Sequence, residues 1–225
     1  MNMPTVESPL LFKSNPVWED AVSVMDTASR VRVNLGEIAR FAETIDSDDF
    51  ELPHWNAPVF PAVDETPVHD QFLFLLVGNS LNYCFNDVRG DKEKFATTFL
   101  GGEWEGAFGM WAALKRSLDD ETLPNLLSSE DLQTLTESQF LDIFQPDEGT
   151  TLPLVSERTA ALNEIGSVLI ETYKGDTGAF FEEWFTSETI SAREITENVL
   201  SMFSSFIDES ECLGEITRFQ KRAQL

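Results

Sequence analysis

Along most of this chain, apolar residues recur every three to four positions, the spacing of a helix, rather than alternating as in a strand. Asn15 stands before Pro16, a cap followed by a favoured first helical residue, and Val17, Ala21, Val24, Met25 and Ala28 then share one face. Asn34 opens a second segment with Glu37 three residues on as a capping-box-like partner, and Leu35, Ile38, Phe41, Ala42 and Ile45 keep the period. Gly106 to Leu118 reads as a helix rich in small residues. Ser129-Glu130-Asp131 and Thr136 with Gln139 mark two successive helix starts. The clearest helix covers 154–173: Ala161, Leu162, Ile165, Val168, Leu169 and Tyr173 form one stripe, and Gly175 ends it. Ser191 with Glu194 begins another, with Ile195, Val199, Leu200, Met202, Phe203 and Phe206 as its apolar face. The final GEITRFQKRAQL starts a further helix that reaches Leu225 without a cap.

Four stretches depart from this pattern. Residues 46–70 hold Pro53, Pro58, Pro61 and Pro67 among acids and aromatics, which predicts a long ordered loop, either functional or a tether laid over the core. FLFLLVGNSLNYCF, residues 72–85, is so uniformly apolar that it fits either a buried helix or a central strand. Residues 86–104 read as a polar turn carrying a short extended pair, and Pro146 to Gly149 as a turn. The expected fold is mainly α: a single helical domain over 1–225 with a proline-rich loop and a short β-hairpin.

Composition narrows the partners. The chain has 225 residues, enough to bury a core without disulfides or metals, and its 42% hydrophobic content excludes wholesale disorder. Forty acids against fifteen basic residues give a net charge of −25. Such a surface repels phosphate polymers and anionic membranes, so neither nucleic acid nor membrane is an expected partner. The acidity suits an organism with a salty interior or simply a very soluble protein. Two cysteines, Cys84 and Cys212, are too few for a disulfide scaffold, and the two histidines, His54 and His69, lack metal-ligand spacing. No metal or cofactor is expected. The N-terminus lacks the pattern of a signal peptide and the longest apolar run is too short for a bilayer, so the expected compartment is the cytoplasm.

No phosphate-binding loop, GxSxG or HExxH is present. Polarity instead sits at places where the pattern predicts burial. Asn79 and Asn82 lie inside the apolar run; buried amides must be hydrogen-bonded, so they either tie down a loop or line a pocket. In Phe206-Ile207-Asp208-Glu209-Ser210-Glu211 a predicted helix runs into three acids, which oppose the macrodipole there. The segment is either a solvated turn or a carboxylate held against apolar walls. Lys221 and Arg222 form either a favourable charge pair near a helix end or an anion contact.

Four segments, in order, resemble the queuosine salvage family. FLFLLVGNSLNYCF resembles its apolar LNF-S-F segment, and AALKRSLDD its AA-N-RALDEG helix. LPLVSERTAALNEIGSVLIETYKG resembles its PL-EER-x-x-LNE-GK-LLEK-GG stretch, and FQKRAQL its FYKRAQ-L segment. The likeness runs over about residues 15 to 225. It implies an all-helical or nearly all-helical fold akin to DNA glycosylases. The activity it implies is N-glycosidic hydrolysis of queuosine 5'-phosphate, releasing queuine. The partner is then a small nucleotide.

Carried over residue by residue, the resemblance puts Asn79 where the family usually has Asp, and Asn86 where it usually has Trp. The family's SFPS-x-x-D segment falls on Ser205 to Glu211, making Glu211 the first candidate for the catalytic carboxylate and Asp208 its rival. Phe206, Asn79 and Asn82 become substrate-binding candidates, His69 a residue of a loop closing over the site, and Lys221 or Arg222 a contact for the 5'-phosphate. The family's later ADYR-x-PQ segment has no counterpart, so the chain is expected to be either a fragment or a shortened relative. Two functions follow: an N-glycosylase, or a catalytically inactive helical binding protein of the same family.

Overall fold

The apolar run that periodicity leaves undecided is a helix. α3 spans Val68–Ser80, and Leu73, Phe74, Leu76, Val77, Gly78 and Ser80 are all buried. A helix enclosed on most sides shows no polar face, which is why the run lacks a period. This architecture comes from a computed structural model that describes residues 16–30, 32–45, 57–85, 94–147, 149–185, 190–212 and 214–224. The expectations for Asn15, the Val17 side chain, loop residues 46–56 with His54, Asn86 and the rest of 86–93, Glu148 and Leu225 lie outside the described residues.

The molecule is mainly helical. Ten α-helices, one 3-10 turn and two short antiparallel hairpins are present among the described residues. None of the helices is long and apolar enough to cross a membrane. The chain divides into two units, a larger one of residues 54–207 and 222–225 and a smaller one of 1–53 and 208–221.

In the larger unit, loop residues 57–67 lead into α3. The hairpin of β1 (Ala96–Phe99) and β2 (Gly102–Glu105) supplies the expected extended pair, with Thr97 opposite Trp104. α4 (Gly106–Leu118) follows directly, then α5 (Ser129–Thr134) and α6 (Glu137–Ile143). α5 starts at Ser129, as the sequence suggests, with Ser128 as its cap, and the Thr136–Gln139 capping box opens α6. α7 (Val155–Tyr173) buries the predicted stripe, save the half-buried Val168, and ends with Lys174 and Gly175 both left-handed. The Gly175 amide reaches back to the Leu169 carbonyl, a closure that satisfies the helix's last carbonyls. α8 (Thr177–Trp184) and α9 (Ala192–Met202) complete the set. α3 lies among α4, α7 and α8. Its Phe72 meets Phe180, Phe181, Trp184 and Phe185 with ring centroids 5.1–5.8 Å apart. Leu73, Phe74, Met110, Leu114, Phe140, Leu162, Leu169, Phe203 and Phe206 form the centre of one core.

Three expectations are corrected. α9 stops at Met202, so Phe203 and Phe206 of its predicted face lie beyond it, Phe206 in a 3-10 turn of Ser204–Phe206. The acids after Phe206 therefore do not crowd a helix C-terminus: Glu209 and Glu211 lie on strand β3 (Glu209–Cys212). GEITRF does not start a helix, because Glu215–Arg218 is strand β4, paired with β3 in the register Glu209 to Arg218. Only Lys221–Gln224 is helical there, as α10.

In the smaller unit α1 (Pro16–Thr27) lies against β4. The Arg218 amide and Nε both donate to Asp20 Oδ2, at 2.8 and 2.9 Å. The backbone bond first, then the guanidinium, holds the Asp20 carboxyl below its ordinary range. α2 (Leu35–Glu43) is capped by Asn34, but Glu37 turns to Arg40 instead of completing a capping box. None of the α2 residues is buried; Leu35 and Phe41 are each 68% exposed.

Candidate functional site

α7 carries an arginine on its apolar stripe. Arg158 lies three and four positions before Ala161 and Leu162, so the helix turns it inward with them. Its side chain is 0% exposed. Among the described residues it forms no carboxylate ion pair and is held by main-chain oxygens. Nε donates to the Pro153 carbonyl at 2.7 Å, Nη1 to that of Leu81, and Nη2 to those of Tyr83 and of Cys84, the last at 3.0 Å. The guanidinium also sits 4.3 Å from the centroid of the Tyr83 ring. Burial draws the Arg158 pKa down, yet four carbonyl dipoles and an aromatic face compensate the charge.

Three of those carbonyls belong to the chain at and just past the end of α3: Leu81 is its C-cap, whose carbonyl has no intrahelical partner, and Tyr83 and Cys84 follow it. The cation therefore finishes the end of α3 and fixes how the chain turns away from it, with Cys84 in the left-handed region at φ 50°. A second guanidinium joins from α10. Arg222 Nη1 donates to the Ser80 carbonyl at 3.2 Å, and its Cζ lies 4.6 Å from the Tyr83 centroid and 6.0 Å from that of Phe206. Burial raises the Tyr83 pKa, and the two arginines pull it partly back. Asn79 and Asn82 are half-buried in the same segment, with Asn82 Nδ2 3.4 Å from Asn79 Oδ1. The end of α3 thus brings together four of the predicted site residues: Asn79, Asn82, Phe206 and Arg222.

Six residues past Arg158, Glu164 fixes the turn that carries Phe206. Its Oε1 accepts from the Ser204 amide at 2.9 Å and the Ser204 hydroxyl at 2.5 Å, and Oε2 accepts from the Ser205 amide at 2.9 Å. Burial by itself would raise the Glu164 carboxyl, but the bonds from Ser204 and Ser205 outweigh it and hold it below its ordinary range. One helix therefore ties down both the 81–85 turn and the 203–206 turn.

The other predicted residues lie elsewhere. His69 is in the first turn of α3, ten residues from Asn79 and so about 15 Å away along the helix, with Nε2 3.5 Å from Asp70. Asp208 and Glu211 belong to the smaller unit. The Asp208 amide donates to Gln220 Oε1 at 2.9 Å, and its carbonyl accepts from the Phe219 and Gln220 amides at 2.8 and 3.3 Å. Asp208 is half-buried, whereas Glu211 is exposed on β3, opposite Ile216. Lys221 is exposed. A cavity of about 590 Å³ in the smaller unit, lined by Ser23, Thr27, Arg30, Cys212, Glu215 and Thr217 among others, holds none of the predicted site residues. Among the described residues no cluster of three His, Cys, Asp or Glu side chains could hold a metal ion.

Arg158 and Glu164 were not among the residues the sequence singled out; α7 also carries Glu157 and Glu171, so a charge on this helix does not by itself mark a buried one. The end of α3 combines aromatic faces, amide groups and guanidinium charge, a combination suited to a flat, polar, anion-bearing ligand. The sequence pattern of the family described as "Queuosine salvage protein" matches residues 62–225. A mouse protein named queuosine 5'-phosphate N-glycosylase/hydrolase is 33% identical over 147 residues, 65% of this chain and 41% of that protein. Proteins of the same name from Sphaerobacter thermophilus and Bos taurus are 28% and 27% identical, covering 90% and 92% of this chain and 58% and 60% of their own lengths. The chain thus spans roughly half the length of these relatives.

Proposed function

Since the chain belongs to the queuosine salvage protein family, we propose that the protein it represents hydrolyses queuosine 5'-phosphate and releases queuine. The observation that carries this reading is the cluster at the end of α3, where Asn79, Asn82, Tyr83, Phe206 and Arg222 lie within one neighbourhood of the larger unit. Aromatic faces suit a planar base, and amides suit its polar edge. A net charge of −25 favours a free nucleotide over tRNA, because a polyanion would be repelled along its whole length. The reaction is assigned to the cytoplasm.

The reaction breaks the bond between C1' and the base nitrogen. Water adds to C1', one proton ends on the departing base, and ribose 5-phosphate is the second product. Positive charge builds on the ribose in the transition state, and a carboxylate near C1' stabilises it or orients the water. General acid–base assistance of this type is worth about 10²–10⁴-fold. Of the two candidates, Asp208 is the better supported, since its backbone is clamped on both sides and its side chain is half-buried. An exposed strand carboxylate such as Glu211 is hydrated, and water screens the stabilisation it could give a developing positive charge. Lys221 and Arg222 remain the two candidates for the 5'-phosphate, as the resemblance implies.

The test is product formation. The purified chain is incubated with queuosine 5'-phosphate and free queuine is measured by mass spectrometry. Queuine above the no-protein control is expected. Asp208→Asn should lower the rate about a hundredfold or more with an unchanged circular dichroism spectrum, while Glu211→Gln changes it less than about threefold. No queuine from the folded chain would mean that the reaction needs residues beyond these 225, or that this relative binds without catalysing. The reverse ranking of the two variants would return the role to Glu211.

A further inference from the structure

A buried arginine held by carbonyls and without a carboxylate is an expensive way to hold a helix end, because its charge is taken out of water with no opposite charge to offset the loss. Arg158 therefore calls for a reason beyond packing. Its Nη1 and Nη2 grip the carbonyls of Leu81 and Tyr83, the residues on either side of Asn82. The Leu81 carbonyl belongs to the peptide before Asn82 and also accepts from the Tyr83 amide, in the peptide after it, at 2.8 Å, while the gripped Tyr83 carbonyl lies one peptide further on. The fork thus constrains the backbone on both sides of Asn82, and with it the direction in which that side chain leaves. The same fork holds Cys84 in the left-handed region and presses on the Tyr83 ring.

We propose that Arg158 is a positioning residue for substrate recognition: from α7 it sets the Asn82 amide and the Tyr83 ring in the orientation that the queuine base meets. This deepens the proposed function and rests on it, because it takes the end of α3 to be the base-binding wall. It assigns the specificity of that wall to a residue that touches no substrate. Lysine retains the charge but has neither the fork nor the planar face, so Arg158→Lys separates orientation from charge.

The test compares kcat and KM for queuosine 5'-phosphate in wild type, Arg158→Lys, Asn82→Ala and the double variant, with thermal melts to confirm folding. Misplacement of a recognition group by about 1 Å costs up to about a hundredfold. Arg158→Lys is therefore expected to lower kcat/KM about ten- to a hundredfold, mainly through KM. Asn82→Ala should do the same, and the double variant should lose clearly less than the product of the two single losses, because both act on the Asn82 contact while only Arg158→Lys also disturbs the Tyr83 ring. A purely structural role would give additive losses, or a loss in kcat alone, and would overturn the proposal.

Should Arg158→Lys not fold, Cys84→Pro decides. Proline cannot adopt φ 50°, so it displaces the gripped carbonyls from an exposed position and leaves Arg158 in place. A rise in KM supports the proposal, and an unchanged KM overturns it. Inactive wild type would overturn the proposed activity of this chain and this inference together; active wild type with an unaltered Arg158→Lys overturns this inference alone.

Discussion

Glu164 does at the residue scale what a helix-capping acid does: it takes three hydrogen bonds from a short turn and spreads them over both carboxylate oxygens. Its folded-state pKa lies below the ordinary 4.5, because the bonds from Ser204 and Ser205 outweigh burial. An acid with a depressed folded pKa stabilises the native state fully above the unfolded value and loses that contribution as pH falls through the folded value. The stability gap between wild type and Glu164→Gln should therefore be constant near neutrality and close as pH falls below the ordinary 4.5 through the lower folded value. Urea titrations of both proteins across that range check it; a gap independent of pH would show that the charge contributes nothing there. Glu164 and Arg158 also mark what the sequence hides at this scale. Amphipathic periodicity identifies the stripe of α7 through Ala161, Leu162, Ile165 and Leu169, and all four are buried. It says nothing of a charged residue whose partners are main-chain groups 75 positions away, because carbonyls leave no mark in a sequence.

At the scale of elements, backbone approach between helices decides several positions. A Cβ on Gly166 would stand 2.2 Å from the Gln133 amide nitrogen and 2.7 Å from the Ser129 carbonyl, so α7 crosses α5 almost backbone to backbone. On Gly78 a Cβ would fall 1.8 Å from the Trp111 ring, which α4 presses into α3. Ring atoms can shift, but two backbones cannot without moving a helix. Gly166→Ala should accordingly cost at least the usual 1–3 kcal/mol of overpacking, about as much as Gly78→Ala or more. Thermal melts of the two variants decide; a Gly166→Ala protein as stable as wild type would mean that α5 and α7 are free to separate. Elements that local signals specify were readable in advance. α4 has the bounds its composition suggests, and the capping boxes at Thr136 and Ser191 start α6 and α9. The β3–β4 hairpin was not readable. Ile216 and Phe219 are three apart, as on a helix face, while the pairing of Glu209 with Arg218 that makes β4 a strand is non-local. The prediction of a helix through GEITRF failed for that reason, and the reading of Asp208 and Glu211 as acids at a helix end failed with it.

For the whole molecule the charge balance dominates. Fifteen basic residues can pair with at most fifteen of the forty acids, which leaves a net −25 to repel itself. Ion pairs such as Lys115 with Asp119 and Arg193 with Glu197 are i,i+4 helix pairs, worth about 0.3–0.5 kcal/mol each and weakened by salt. Salt therefore acts in two directions, screening a few attractions and many repulsions. The Debye length falls from about 30 Å at 0.01 M to about 3 Å at 1 M, so long-range repulsion among the excess acids disappears first while contact pairs persist. The balance favours stabilisation: the melting temperature should rise steadily between about 0.01 M and about 1 M salt. Sodium and potassium chloride should give the same curve if screening is the cause, because it depends on ionic strength and not on the cation. A flat or falling curve would mean that local pairs such as Arg218 with Asp20 outweigh the global field. A rise with only one cation would point to specific binding at acidic clusters. The same field bears on the proposed reaction. A nucleotide phosphate approaching a surface of this charge is repelled at long range, so kcat/KM for queuosine 5'-phosphate should also rise with salt. It would fall instead if attraction to Lys221 or Arg222 governed capture, and the direction of that one curve separates global repulsion from local recognition.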